Sequence, residues 1–261
     1  MSLDFPLSSV CLCAAQAGTV ALPCTAPTVV RVKKALWGLV PLASIVVVVF
    51  AVRQAPGAAA LLTYLSLAAV PPLAALALAR GVRWSRRGFG VLVVPLFALA
   101  WIERANVAGQ AAAVVLSILA CVTLAIVLTQ LAPLRWIKVG ILLTALGDVV
   151  MIGAHYLQPA QHLLDFASPG LALPAFQRVL LSGVVMGFGD FFVAALLGAV
   201  LAAEGRRYQD RAALLTFALA LVFDLLFIAI PVVPATVPVA IALVVVERRA
   251  RTGRVGGRAT A

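Results

Sequence analysis

The sequence predicts an all-α fold, a polytopic transmembrane helical bundle of eight or nine spans, and three observations carry that prediction. Of the 261 residues, 64% are apolar and only 11% are charged, with a mean hydropathy of +1.13. A soluble domain carries about a quarter charged residues. The apolar runs are continuous and about 14 to 24 residues long, and the alternating ten-residue pattern of barrel strands is absent. Basic residues gather in short clusters between those runs, which is how membrane topology is encoded.

Residues 1–34 form an N-terminal segment ahead of the clear spans. Within it Ser8 to Val30 is uncharged, rich in Ala, Ser and Thr, and contains Pro23 and Pro27. Three readings stay open: a first span, a secretion signal with a small-x-small site at Ala15-Gln16-Ala17, or upstream sequence if translation starts near Val29 or Val30. Asp4 and the lack of Lys or Arg before it count against the signal. The expected spans within 35–247 are Ala35 to Val52, Ala58 to Ala79, Phe89 to Ile102, Val107 to Leu131, Ile137 to Tyr156, Val179 to Ala202, Ala212 to Ile230 and Pro234 to Val246. Phe89 to Ile102 and Pro234 to Val246 are short and need flanking residues or local thinning to cross.

This order of spans sorts the 20 Lys and Arg residues sharply. One side collects Arg31, Lys33, Lys34, Arg80, Arg83, Arg86, Arg87, Arg135, Lys138, Arg206, Arg207, Arg211, Arg248, Arg249, Arg251, Arg254 and Arg258; the other holds Arg53, Arg104 and Arg178. The crowded side is expected in the cytoplasm, which makes this a multi-pass protein of the cell membrane with a cytoplasmic C-terminus. Residues 248–261 form a basic tail expected to meet anionic lipid headgroups. The net charge of +11 is accounted for by topology, so no nucleic-acid partner is expected. The loop Leu157 to Arg178 contains Pro159, Pro169 and Pro174 among apolar residues, and is expected to lie interfacially or partly re-entrant, as a connector or as a gate for substrate.

Intramembrane acids are the candidates for chemistry, because a carboxylate in a span costs about 2.5 to 3.5 kcal/mol on insertion scales. Asp190 lies in Leu181 to Val200, behind Gly187 and Gly189 in a Gly-x-Gly-Asp pattern; Asp148 lies in the preceding span. The two spans are expected to be antiparallel neighbours, with the acids at depths of about 11 and 18 Å, so that they share one level and face each other. Two carboxyls held close share one proton: the ionised acid takes a proton from water, and the protonated one polarises a peptide carbonyl. The alternative is that each acid hydrogen-bonds a neighbouring helix. Three prolines in Pro231-Val232-Val233-Pro234-Ala235-Thr236-Val237-Pro238 leave carbonyls without helical partners, suited to receiving an extended peptide.

An acid in one span, Gly187-Phe188-Gly189-Asp190 in the next and Pro234-Ala235-Thr236 opening the last resemble the presenilin and signal peptide peptidase family of intramembrane aspartyl proteases. The resemblance covers Ile137 to Val246 and implies nine spans, with residues 137–247 as the catalytic half. It further implies catalytic Asp148 and Asp190 on the sixth and seventh spans, and substrate contacts from Gly187, Gly189, Pro234, Ala235 and Thr236. The substrates implied are membrane-spanning peptides, or leftover signal peptides, and no metal or organic cofactor is called for. The family has Tyr where this chain has Gly147, and Leu where it has Thr236.

Other classes stay in view. A prepilin-type peptidase shares the Gly-x-Gly-Asp pattern but carries Lys where this chain has Phe192. A proton- or cation-coupled transporter or channel would use Asp148, Asp190 and a third acid, Asp224, as a relay. A catalytically silent family member would bind membrane helices without cutting them. Asp224 is expected to hydrogen-bond a neighbouring span or to tune protonation of the pair. Cys11, Cys13, Cys24 and Cys121 lack zinc or disulfide spacing and are expected to pack, and His155 and His162 lack a third ligand.

Overall fold

A run of small and apolar side chains folds as helix α1 (Asp4–Ala21) and stops ahead of Pro23, whose ring disfavours helical backbone at the residue before it. The structure, a computed structural model, describes residues 4–24, 34–54, 56–153, 173, 174, 176, 178–225 and 234–256. A 3-10 turn, Ala35–Leu39, leads into α2 (Val40–Gln54). Helix α3 (Pro56–Leu76) begins on a proline, whose missing donor costs nothing at a first turn, and loosens into a π turn at Ala77–Gly81 beyond its internal Pro71 and Pro72. A second 3-10 turn, Arg87–Leu92, precedes α4 (Val93–Ile102), followed by α5 (Val107–Leu131) and α6 (Leu134–Gly153). The antiparallel hairpin of β1 (Arg178–Leu181) and β2 (Val184–Gly187) pairs Arg178 with Gly187 and Leu181 with Val184. Helices α7 (Phe188–Glu204), α8 (Arg206–Asp224) and α9 (Thr236–Gly256) complete the described chain.

The protein is predominantly helical, and among the described residues three helical stretches are long and apolar enough to cross a membrane: Ala60–Gly81, α5 and α6. Helix α7 sits at the centre, with Phe191 and Val193 through Leu201 buried, and packs against α1, α5, α6, α8 and α9. Helix α1 belongs to the same core. Its Leu12, Cys13, Ala17 and Val20 are buried against α7 and α8. The carbonyls at its end are taken up by Gln209 of α8, whose Nε2 donates to Val20 at 3.0 Å and to Pro23 at 2.9 Å. Gly198 makes the approach possible, since a Cβ there would collide with the Val20 carbonyl.

Ion pairs gather charged residues at one end of the bundle. Arg83 pairs with Asp210, and Lys138 pairs with Glu204 at 2.5 Å and with Glu247. The segments carrying Arg83, Arg135, Lys138 and Arg206 thus share an end, as the charge pattern requires.

Several expected elements are redrawn. The N-terminal stretch is a helix at Asp4–Ala21 rather than Ser8 to Val30; residues 25–33, with Val29 and Val30, lie outside the described residues. The single helix expected over Val179 to Ala202 is a hairpin followed by a helix from Phe188. Val179, Val184 and Val185 favour extended backbone, and Ser182 (φ 46°) with Gly183 (φ 89°) supplies the two positive φ values of a type I′ turn. Asp224, expected mid-span, is the last residue of α8. Helix α9 runs on through the expected tail to Gly256. His155, His162, most of the loop Leu157 to Arg178, Pro231 to Val233 and residues 257–261 lie outside the described residues.

Gly198→Val is expected to push α1 off α7 and to lower the thermal unfolding midpoint in detergent, at an overpacking cost of about 1 to 3 kcal/mol. Gly18→Ala, where an added Cβ meets nothing within 4 Å, should leave the midpoint unchanged or raise it slightly.

Candidate active site

Three chain segments deliver the expected site residues to one place: the last turns of α6, the first turn of α7 and the first turn of α9. The ion pairs at Lys138 give a common origin for judging their levels. Asp148 is ten residues beyond Lys138 on α6, Asp190 fourteen from Glu204 on α7, and Thr236 eleven from Glu247 on α9. At about 1.5 Å per residue these are about 15, 21 and 17 Å from the tie, a spread of little more than one turn.

The contacts agree with that count. Thr236 donates its Oγ1 hydrogen bond to Asp148 Oδ2 at 2.6 Å. Asp190 lies within electrostatic reach of Asp148. Asp190 is the third residue of α7, and its Oδ2 accepts the N–H of Gly187, the N-cap, at 3.0 Å. Gly187 has to be small for this, since a Cβ there would come 3.2 Å from Asp190 Oδ2. Among the described residues a Cβ on Gly189 would meet nothing within 4 Å, so there the first turn of α7 has open space beside the acid.

The hairpin that leads into Asp190 is anchored on α5. Gln110 Oε1 accepts the N–H of Ser182 at 2.9 Å, and Val179 and Phe176 are buried. Ser117 Oγ donates to the carbonyl of Phe176 at 3.4 Å, and Cys121 Sγ to that of Phe188 at 3.7 Å. The start of α7, and the carboxyl it carries, is thereby held against the most buried helix of the bundle.

Pro234 and Ala235 form the turn before α9, closed by the N–H of Val237 donating to the Pro234 carbonyl at 3.3 Å. Thr236, expected among the substrate contacts, is buried and holds an acid instead. Gly147, beside Asp148, faces α2: a Cβ there would come 3.1 Å from Leu42 Cδ1, so a tyrosine would displace that side chain.

Sequence reasoning missed the share of α1 in this region. Gln16, 1% exposed, donates Nε2 to the Ala235 carbonyl at 2.7 Å, and Ser9 Oγ reaches both oxygens of Asp224 at 2.5 Å. Ser9 and Gln16 are seven residues apart and therefore lie on one helix face. That polar stripe in an otherwise apolar helix was the available signal. Thr144, one turn before Asp148 on α6, was missed too; its buried Oγ1 has no hydrogen-bond partner among the described residues.

Comparison with protein-family models, with curated proteins and with solved structures gives no match to this chain.

Gln16→Met keeps the length of the side chain and removes its donor. The amides of Val237, Val239 and Ala240 in the first turn of α9 are expected to exchange hydrogen about five- to tenfold faster, as for the loss of one buried hydrogen bond of ~1 kcal/mol. Cys11→Ser, on the exposed face of α1, should leave that exchange unchanged.

Proposed function

We propose that the chain is an intramembrane aspartyl protease of the presenilin and signal peptide peptidase type, cutting membrane-spanning helices or leftover signal peptides. The observation that carries the reading is the meeting of α6, α7 and α9 at two acids, with Thr236 bound to Asp148 and Asp190 within reach of its charge. In this reading α1 is the first of nine spans, Asp148 is on the sixth, Asp190 on the seventh, and Thr236 opens the ninth. The basic end of the bundle and the C-terminus face the cytoplasm of a cell membrane.

The two carboxyls share a proton. The ionised one removes a proton from water as the water oxygen bonds to the peptide carbonyl carbon; the protonated one gives its proton to the carbonyl oxygen. As the tetrahedral intermediate collapses, one hydroxyl returns its proton to the acid that had protonated the carbonyl, the C=O bond re-forms and the C–N bond breaks, and the departing nitrogen takes a proton from the acid that received one from water. Thr236 occupies one oxygen of Asp148 and the Gly187 N–H one oxygen of Asp190, which fixes the direction of the remaining oxygens. The unpartnered Thr144 hydroxyl offers a donor and an acceptor for water below Asp148. The open space at Gly189 leaves room for the peptide, and the hairpin ending at Gly187 presents strand edges on which an unwound substrate can pair.

One observation favours a second reading, a proton- or cation-coupled transporter. Asp224 lies at the same end of the bundle as the pair, linked through Ser9 and Gln16 of α1 to the turn that holds Thr236, so a relay of three acids has a polar path. Proton-linked flux in vesicles that persists with an aspartyl-protease transition-state inhibitor would decide for transport.

Asp148→Asn and Asp190→Asn are each expected to abolish cleavage of a reconstituted membrane-spanning peptide while the thermal midpoint stays near that of the wild type. Turnover by either variant at the wild-type rate would exclude the protease. Gly189→Val, whose Cβ meets nothing within 4 Å among the described residues, should raise KM more than it lowers kcat in the same assay.

A further inference from the structure

Where α8 and α9 diverge near the charged end of the bundle they leave a groove of about 490 Å³. Its polar mouth is made by Tyr208 and Arg211 of α8 and Arg249 of α9, and its walls by Leu214 and Leu215 of α8 with Val245 and Val246 of α9. Two guanidinium groups thus share one opening, and no acid lines it. Asp210, the acid next to Arg211 in sequence, pairs with Arg83. Among the described residues Arg211 has no ion-pair partner. From the arginines the groove turns wholly apolar within one or two turns, toward the middle of the helices. Leu214 is 71% exposed there, a large apolar surface that water would leave bare.

A cationic, hydroxyl-bearing mouth above an apolar track has the polarity of a phospholipid: one anionic group at the membrane surface, then hydrocarbon. Guanidinium matches phosphate oxygens in a two-pronged geometry that an ammonium lacks. Tyr208 adds a hydroxyl of the kind enriched at headgroup level. We propose that this groove is a binding site for an anionic glycerophospholipid, its phosphate between Arg211 and Arg249 and an acyl chain along Leu214, Leu215, Val245 and Val246. The site rests on the membrane reading of the chain and not on the protease reading. By holding α8 and α9 together at this end, the lipid would stabilise the two helices that flank the turn before Thr236.

The test is native mass spectrometry of the full-length protein in a nonionic detergent, with phosphatidylglycerol or with phosphatidylcholine of the same acyl chains. The wild type is expected to retain phosphatidylglycerol roughly 10- to 30-fold more tightly than phosphatidylcholine, the preference that two arginines near an anionic headgroup supply. The double variant Arg211→Gln/Arg249→Gln should lose that preference and keep its thermal midpoint in detergent alone, while Arg207→Gln, outside the groove, should keep the preference. Phosphatidylglycerol should raise the thermal midpoint of the wild type and not that of the double variant. An unchanged preference in the double variant overturns the proposal. So does inorganic phosphate at millimolar concentration giving the same midpoint shift as phosphatidylglycerol, which would assign the arginines to a soluble anion.

Discussion

A carboxyl inside an apolar bundle has to be met by a donor from the protein, and this requirement shapes the centre of the molecule. Leaving a buried polar group unpaired costs about 1 to 3 kcal/mol, and more for a charge. Each of the three acids at the far end of the bundle has its own answer. Thr236 serves Asp148, the Gly187 amide serves Asp190, and Ser9 serves Asp224. None of the three donors is a cation, so the acids are solvated and not neutralised by these contacts. An acid held in an ion pair is a structural fixture. Asp148 and Asp190, each bound at one oxygen, keep the second for other work.

The same requirement explains why two helices begin at the site. The first turns of α7 and α9 bring backbone N–H groups without helical partners, and the positive ends of two macrodipoles, toward the acids. Asp190 uses that position directly, at the third residue of its helix. A carboxyl at mid-helix would find every neighbouring N–H already committed. The hairpin ahead of α7 is therefore part of the electrostatic solution, because it ends in the extended Gly187 whose amide is free to point at Asp190. Its turn is pinned by Gln110, and α7 itself by burial of Phe191 and of Val193 to Leu201, so the acid sits at the head of a helix held on most sides by the core.

How much of this could be read in the chain depends on how local each cause is. The helical character of the bundle follows from composition, and a shared level for Asp148 and Asp190 follows from residue counts along adjacent antiparallel segments, which need only a fixed rise; the bond from Thr236 to Asp148 does not follow from those counts. The hairpin was hidden because an apolar run of β-branched residues satisfies a membrane helix and a buried strand equally well. Ser182-Gly183 was the one local mark against a helix, and a glycine inside a span is common enough to pass. The placement of α1 was out of reach for a different reason: Gln16 and Ala235 are 219 positions apart, and nothing in either neighbourhood names the other. The small residue that admits α1, Gly198, sits in a helix rich in Ala and Gly, where its neighbours give it no distinction.

Helix α1 also changes what the carboxyl cluster depends on. Without it, Asp224 would lose its hydroxyl donor, the Ala235 carbonyl its amide donor, and the buried faces of α7 and α8 their cover at Leu12, Cys13, Ala17 and Val20. The turn at Pro234-Ala235 cannot replace those contacts from within, since proline supplies no donor and restricts the residue before it. Backbone of this kind is tolerated in an apolar bundle only where other protein groups satisfy it. The chain begins the described fold with the helix that meets this need and ends it with the helix that creates it. The bond from Gln16 of α1 to the Ala235 carbonyl then helps to fix where Thr236, and through it Asp148, comes to rest.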